Sequence, residues 1–275
     1  MITSTGNNRV RSVSALAKKA KIRREQGLFI VEGAKMFAEL PKDRLKETYV
    51  SESFLRQHGE KASELLQGIC FEEVSDDVMK YMSDTQTPQG ILAVAAQLSH
   101  SLNEIVKGDG IKRDSPAHLM ILETIQDPGN LGTILRAGEG AGITGVVMNS
   151  ATADIYNPKV IRSTMGSIYR VPFVYVEDWQ QAIGRIKAEG IRLYAAHLKG
   201  KVSYENEDYR TDTGFLIGNE ANGLTEETAA MADCYVRIPM AGQVESLNAA
   251  VAASILMFET APVSYTHLRA HETSA

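Results

Sequence analysis

Cysteine is nearly missing from this 275-residue chain: the only two, Cys70 and Cys234, lie far apart and outside any CxxC spacing. That argues against a zinc site or a disulfide framework and fits a reducing cytoplasm. No apolar run reaches the length of a membrane span, so no membrane partner is expected. The opening stretch, MITSTGNNRVRS, lacks the apolar centre of a signal peptide. Ser-His-Asp order, HExxH and Walker A sequences do not occur, and no predicted loop pairs two carboxylates as a glycosidase would. There is no repeat at a fixed period. An excess of positive charge is also lacking: the net charge is −5, so the protein as a whole is not a polyanion binder.

What is present is an ordinary globular composition, 44% hydrophobic and 23% charged, in a chain long enough for two domains. The charge is uneven. Arg9, Arg11, Lys18, Lys19, Lys21, Arg23 and Arg24 all precede the first acid, Glu25. They describe either a solvated helix face or a local phosphate-contacting surface. Residues 10–24 read as one basic amphipathic helix, with Val13, Leu16, Ala17 and Ala20 inward and Gly27 at its end. Short strands at 28–31, 48–51, 69–71 and 90–96 then alternate with helices at 34–40, 54–67 and 76–82. This predicts a small α/β domain over residues 1–97. Residues 98–117 carry Gly108, Gly110 and Pro116 among mixed charges and read as a linker with a helical piece at 102–106. Strands at 119–122, 145–148, 171–176, 191–196, 214–217 and 235–238 alternate with helices and predict a second α/β domain, 118–261, with a mostly parallel sheet. Residues 262–275 break the pattern and read as a non-native tail. His267 and His271 within it stand at helical ligand spacing, but nothing supplies a third ligand, so no metal is expected.

Three loops at the C-terminal ends of predicted strands are rich in small and polar residues, the place where parallel sheets bind ligands. The first runs from Gln126 through Asp127-Pro128-Gly129, a turn, into a helix that Asn130 can cap. Arg136 stacks above Gly132 and Thr133 at helical spacing, with room to receive a phosphate; a plain surface arginine would look the same. The second, Gly218-Asn219-Glu220-Ala221-Asn222-Gly223, suggests backbone wrapped closely on a ligand, although Glu220 could be an ordinary loop carboxylate. The third, 238–259, reads as a strand end, a Pro/Gly loop and a helix capped by Ser246 with Asn248 in its first turn. Leu247, Val251, Ile255 and Phe258 recur at three- and four-residue steps and predict a core-facing stripe. Free N–H groups at such a helix start favour an anionic ligand group, but the stretch alone also describes an ordinary capped core helix. Ser163-Thr164-Met165-Gly166-Ser167 adds a smaller polar turn. Gly140-Ala141-Gly142-Ile143-Thr144-Gly145 satisfies G-x-G-x-x-G, but a helix precedes it and a strand follows. That is the reverse of a dinucleotide fingerprint, and it argues against a nicotinamide-dependent oxidoreductase.

Taken together, DPGNLGTILRAGEGAGI, IGNEANGL and IPMAGQVESLNAAVAASILMFE, in this order, closely resemble the three motifs of SpoU/TrmH-type RNA 2′-O-ribose methyltransferases of the SPOUT superfamily. The segment NNRVRSVSALAKKAKIRREQGLFIVEG resembles the family's L30e-like substrate-binding domain. The likeness covers the chain from about residue 3 to 259. It implies a C-terminal α/β domain with a trefoil knot, a bound S-adenosylmethionine (AdoMet), no metal, and a cytoplasmic homodimer acting on RNA, ribosomal RNA before transfer RNA. By the same likeness, AdoMet would be held around Leu198, Gly218, Asn219, Ile238, Met240 and Leu247. Asn130, Arg136, Glu220, Ser246 and Asn248 match the functional polar positions. RNA would meet Arg9, Arg11, Lys18, Lys19, Arg23 and Arg24 through phosphate.

The implied chemistry is attack of a ribose 2′-OH on a sulfonium methyl. A guanidinium pKa of roughly 12.5 or more makes arginine a demanding base. Arg136 is therefore expected to clamp phosphate and steady developing alkoxide charge. SLNAAVA replaces a commoner SLNVSVA, and AGEGAG a more alanine-rich helix end; neither removes a motif polar residue. An RNA-binding protein with a silent catalytic half is the alternative, against which these retained polar residues argue.

Overall fold

A computed structural model describes residues 1–108, 115–244 and 246–260. The expected tail, with His267 and His271, the middle of the expected linker, and Glu245 lie outside the described residues.

The first sheet has four strands, β1 (Leu28–Glu32), β2 (Leu45–Ser51), β3 (Glu72–Val74) and β4 (Ile91–Ala96), in the order β1-β4-β2-β3. Its helices are α1 (Asn8–Lys18), α2 (Ala20–Gln26), α3 (Ala34–Glu39), α4 (Glu52–Leu65) and α5 (Asp76–Met82). The single basic helix expected at 10–24 is two. Asn7 caps α1 through its side chain, and Lys19 turns extended (φ −124°, ψ 110°) between α1 and α2. The third strand sits later than its apolar residues suggested, because Phe71 is exposed and Val74 is the residue the core takes.

α6 (Leu102–Lys107) follows, closed at its start by a reciprocal Ser101–Glu104 capping box. It falls where the helical piece was expected and packs on the second sheet: Ile105 lies so close over Gly145 that a Cβ there would sit 2.5 Å from its Cγ2.

The second sheet has seven strands: β5 (His118–Leu122), β6 (Gly145–Asn149), β7 (Phe173–Val176), β8 (Arg192–Ala196), β9 (Val202–Ser203), β10 (Thr213–Ile217) and β11 (Cys234–Arg237). The order is β7-β6-β5-β10-β8-β11-β9, and every pair is parallel. Around it pack α7 (Pro128–Ala141), α8 (Pro158–Thr164), α9 (Trp179–Ala188), α10 (Glu226–Ala230) and α11 (Ala249–Thr260). The G-x-G-x-x-G stretch is the end of α7, with Gly142 left-handed at φ 76°, and the start of β6, as the sequence order required.

β8 leads straight to β9 through residues 197–201, yet β11 lies between them in the sheet. The late strand therefore runs beneath an earlier loop. The His197 N–H donates to the Val236 carbonyl at 3.0 Å, and a Cβ on Gly200 would stand 2.9 Å from the Val236 carbonyl carbon. Only glycine permits that approach.

The two sheets share one continuous core. Phe29 of β1 meets Tyr156 with ring centroids 4.9 Å apart, and the Tyr156 hydroxyl donates to the Leu98 carbonyl at 2.7 Å. Charge pairs rim that contact: Arg162 with Asp84 and Arg170 with Glu39 reach from the second part to the first.

Candidate active site

The C-terminal ends of β8, β10 and β11 and the start of α11 enclose one cleft of about 490 Å³. Leu198, Gly218, Asn219, Ile238, Met240 and Leu247 all line it, together with Glu220 and Ser246. The loop after β10 is folded tightly on itself: Asn219 and Gly223 exchange backbone hydrogen bonds at 3.0 and 2.8 Å. A Cβ on Gly218 would lie 2.1 Å from the Gly223 carbonyl carbon, so that position requires glycine. The Asn219 side chain is already committed. Its amide donates to the Thr124 carbonyl at 2.9 Å and its oxygen accepts from Ala221 and Asn222. Its backbone is what it can offer a ligand.

Thr124 itself stands at φ 59°, a strained conformation for a β-branched residue. Asn149 holds it there, accepting from the Thr124 N–H and donating to its hydroxyl. Just before it, buried Glu123 accepts from the Thr225 amide and from the hydroxyls of Thr225 and Thr228, which anchors the start of α10. Sequence reading passed over Glu123, Thr124 and Asn149; nothing in the linear pattern separates a strand-end acid or threonine from any other.

Three loops distant in sequence are joined by side chains. The Glu220 carboxylate accepts from the Asn130 amide at 2.9 Å and from the backbone N–H groups of Gln126 and Asp127, each at 3.3 Å. The Asn248 amide in turn donates to the Asn130 oxygen at 3.0 Å. Burial pushes the Glu220 carboxyl up, but the hydrogen bonds from Asn130 and these amides together hold it below its ordinary value.

The helix starts differ from expectation. Asp127 caps α7, accepting the Asn130 N–H at 2.8 Å, with Pro128 in the first turn. That leaves the Asn130 side chain free to face Glu220. In the last helix Asn248, not Ser246, caps: its oxygen accepts from the N–H groups of Ala250 and Val251. The expected core stripe is also reversed. Ala250, Ala253, Leu256 and Met257 are buried, while Val251 and Phe258 are each 48% exposed. The alanines face inward because α11 lies tightly on α7, where Met257 reaches Gly138.

Arg136 does not join the cluster. Six positions turn a helical side chain by about 240° relative to Asn130. Arg136 is exposed, with no hydrogen bond or ion pair among the described residues.

The basic set divides. Arg23 is only 3% exposed and cannot meet RNA: it donates to Asp154 and to the carbonyls of Leu16 and Ala17. Arg9 is drawn to Glu72 and Glu47 across the Tyr49 ring. Arg11, Lys18, Lys19 and Arg24 remain on the surface, Lys18 standing 4.9 Å above the Tyr81 ring. Among the described residues no group of His, Cys, Asp and Glu could hold a metal ion.

Residues 117–258 match the SpoU rRNA Methylase family, and residues 7–93 match the MRM3-like substrate binding domain. A Bacillus subtilis protein, 23S rRNA (guanosine(2553)-2′-O)-methyltransferase RlmP, is 31% identical over 94% of this chain and 97% of its own length. Human rRNA methyltransferase 3, mitochondrial, is 30% identical over 92% of this chain and 72% of its own. Among solved structures, an AdoMet-bound rRNA methyltransferase from Sinorhizobium meliloti superposes with a TM-score of 0.80 at 29% identity, covering 94% of this chain and 96% of that one. The SpoU methyltransferase AviRb from Streptomyces viridochromogenes, in complex with AdoMet, gives 0.81 at 26% identity, covering 93% and 97%.

Proposed function

The chain belongs to the SpoU rRNA methylase family and is an AdoMet-dependent RNA ribose 2′-O-methyltransferase; we propose that its substrate is 23S-type ribosomal RNA and that its working form is a cytoplasmic homodimer. The observation that carries the assignment is the single cleft lined by all six expected donor-binding residues, with Glu220, Asn130 and Asn248 bonded in series beside it.

The cleft fits the donor. Its volume is in the range of small-molecule sites. Leu198, Ile238, Met240 and Leu247 supply apolar walls, and the tight turn at Gly218 brings backbone to the ligand. AdoMet, when bound, supplies an electrophilic methyl on a sulfonium and leaves as a neutral thioether. Glu220 positions Asn130; a carboxyl held below its ordinary value is a poor acceptor for a hydroxyl proton. Asn130 and Asn248 orient the ribose. Arg136 would clamp a substrate phosphate and stabilise alkoxide character while the oxygen–methyl bond forms, the sulfur–methyl bond breaks and the hydroxyl proton passes to solvent water.

The dimer proposal rests on the α11 face. Val251 and Phe258, each 48% exposed, with Ile255 between them, form an apolar stripe that no other described residue covers, and Leu198 beside the cleft is 70% exposed. A second copy on that face would cover it and would carry an unpartnered Arg136 to the neighbouring cleft. The passage of β11 beneath residues 197–201 supports a trefoil knot. Two free thiols, Cys70 and Cys234, support a reducing compartment.

Transfer of tritiated methyl from AdoMet to a 23S rRNA transcript, followed by mapping of the methylated ribose, tests the assignment. A single labelled 2′-O position is expected; label on transfer RNA alone, or none, would refute it.

A further inference from the structure

The geometry points to residues 83–89 as a base-reading loop, which recognises unpaired RNA bases beside the methylated nucleotide. This rests on the proposed RNA methyltransferase activity and extends it from phosphate contact to sequence.

The loop is built from beneath. Glu32, at the end of β1, is only 7% exposed, yet it is a carboxylate. Its Oε1 accepts from the Ser83 hydroxyl at 2.7 Å and from the Thr85 hydroxyl at 2.6 Å. Its Oε2 is buried with no hydrogen-bond partner. Burying such a group is costly, and here it serves to fix the loop's first turn. The far end is fixed too. Gly33, at φ 98°, leaves space for Gln89, whose Oε1 would lie 2.7 Å from a Cβ there. Gly90, at φ 83°, seats against Phe54 and Ser51.

Outward, the loop offers Gln86 and Thr87, both exposed and making no hydrogen bond among the described residues. These are uncharged groups that both donate and accept. A lysine meets RNA chiefly as a point charge on phosphate, whereas an uncharged amide or hydroxyl can also pair with the edge of an unstacked base. The loop's one acid, Asp84, is neutralised by Arg162 at 3.1 Å.

The placement is apt. Tyr81, just before the loop, carries Lys18 over its ring, so the loop begins beside the basic face. On α8, Arg162 holds Asp84, while Lys159, one turn earlier, pairs with Asp127 at 3.6 Å. The Asp127 N–H is itself bonded to Glu220 beside the cleft. The loop therefore stands between the basic face and the reacting site, joined to the latter through Asp84, α8 and Asp127. Sequence-specific RNA recognition favours unstacked single-stranded bases, which such a loop can reach.

The test uses the full chain with Gln86→Ala and Thr87→Ala together. Methyl transfer and binding are measured on a 23S rRNA transcript and on random-sequence RNA of equal length, across a salt series. The KM for the transcript should rise about tenfold or more. AdoMet affinity, binding to random RNA and its salt slope should stay as in the unaltered chain. Lys18→Glu with Lys19→Glu should instead weaken both RNAs and flatten the slope. An unchanged KM, or equal weakening on both RNAs, overturns the assignment. If the unaltered chain methylates neither RNA, the proposed activity fails, while the binding comparison still decides whether the loop discriminates.

Discussion

Arg23 gives two hydrogen bonds, from Nε at 2.9 Å and Nη2 at 2.6 Å, to one carboxylate oxygen of Asp154. Arg23 lies on α2 beside the first sheet and Asp154 in the loop that follows β6 of the second, so a side chain that the linear pattern places on an RNA surface is in fact a rivet between the halves. Arg23→Ala should lower stability by about 3 kcal/mol, since it leaves a partly buried carboxylate and two carbonyls unsatisfied. Arg24→Ala, at an exposed neighbour, should stay within about 0.5 kcal/mol. Urea unfolding midpoints decide the matter; equal effects would contradict the rivet.

Arg136→Ala should leave AdoMet affinity by calorimetry and thermal stability unchanged, because the exposed side chain makes no hydrogen bond or ion pair among the described residues. Methyl transfer should fall about a hundredfold or more, as for removal of one group that stabilises a developing oxyanion. A parallel loss of AdoMet binding would refute the role.

Gly218→Ala would force a Cβ to 2.1 Å from the Gly223 carbonyl carbon. That neighbour is backbone and cannot rotate away, so the loop must open. Loss of AdoMet binding and about 1–3 kcal/mol of stability are expected. Gly184→Ala, in α9 with open space around the new methyl, is the control and should keep AdoMet binding while raising stability by about 0.5–1 kcal/mol.

Val251→Glu with Phe258→Glu should halve the mass measured by light scattering and abolish transfer, with the far-ultraviolet dichroism retained. A wild-type chain already monomeric at working concentration would dismiss the dimer.

Several carboxyls sit below their ordinary values in the folded chain: Asp208, held at about 2 by Arg210, Glu139 beside Arg170, and Glu220. A lowered carboxyl contributes stability that is complete above its unfolded value, about 4, and is lost as pH falls through the folded one. His118, pushed down by burial, resists protonation in the fold, so its share starts to be lost below about 6.5. Melting temperature should be level from pH 7 to 8, sag gently below about 6.5 and drop steeply below about 4. A melting temperature that rose on acidification would reverse the sign.

The alternation of strand and helix was legible because apolar runs and glycine punctuation are local signals. So were the three ligand loops, since small polar residues after buried strands are rare enough to notice. What could not be read was direction. The α11 stripe of Val251, Ile255 and Phe258 has core periodicity, but the alanine face packs on α7 more closely and takes the interior. Arg23 and Arg24 are chemically alike in sequence; only Asp154, 131 positions away, separates them. Capping by Asp127 and Asn248 was missed by a few residues at each helix start, where several candidate side chains compete.

The insertion of β11 between β8 and β9 has a consequence for how the protein comes into being. In the proposed trefoil knot, Ile238, Met240 and Leu247 reach their places only once the segment that follows β11 has been drawn under residues 197–201. During synthesis residues 1–97 emerge long before that passage can happen. A chain that stops short of Leu247 therefore lacks part of the wall of the donor cleft, and no half-made copy could mark RNA prematurely.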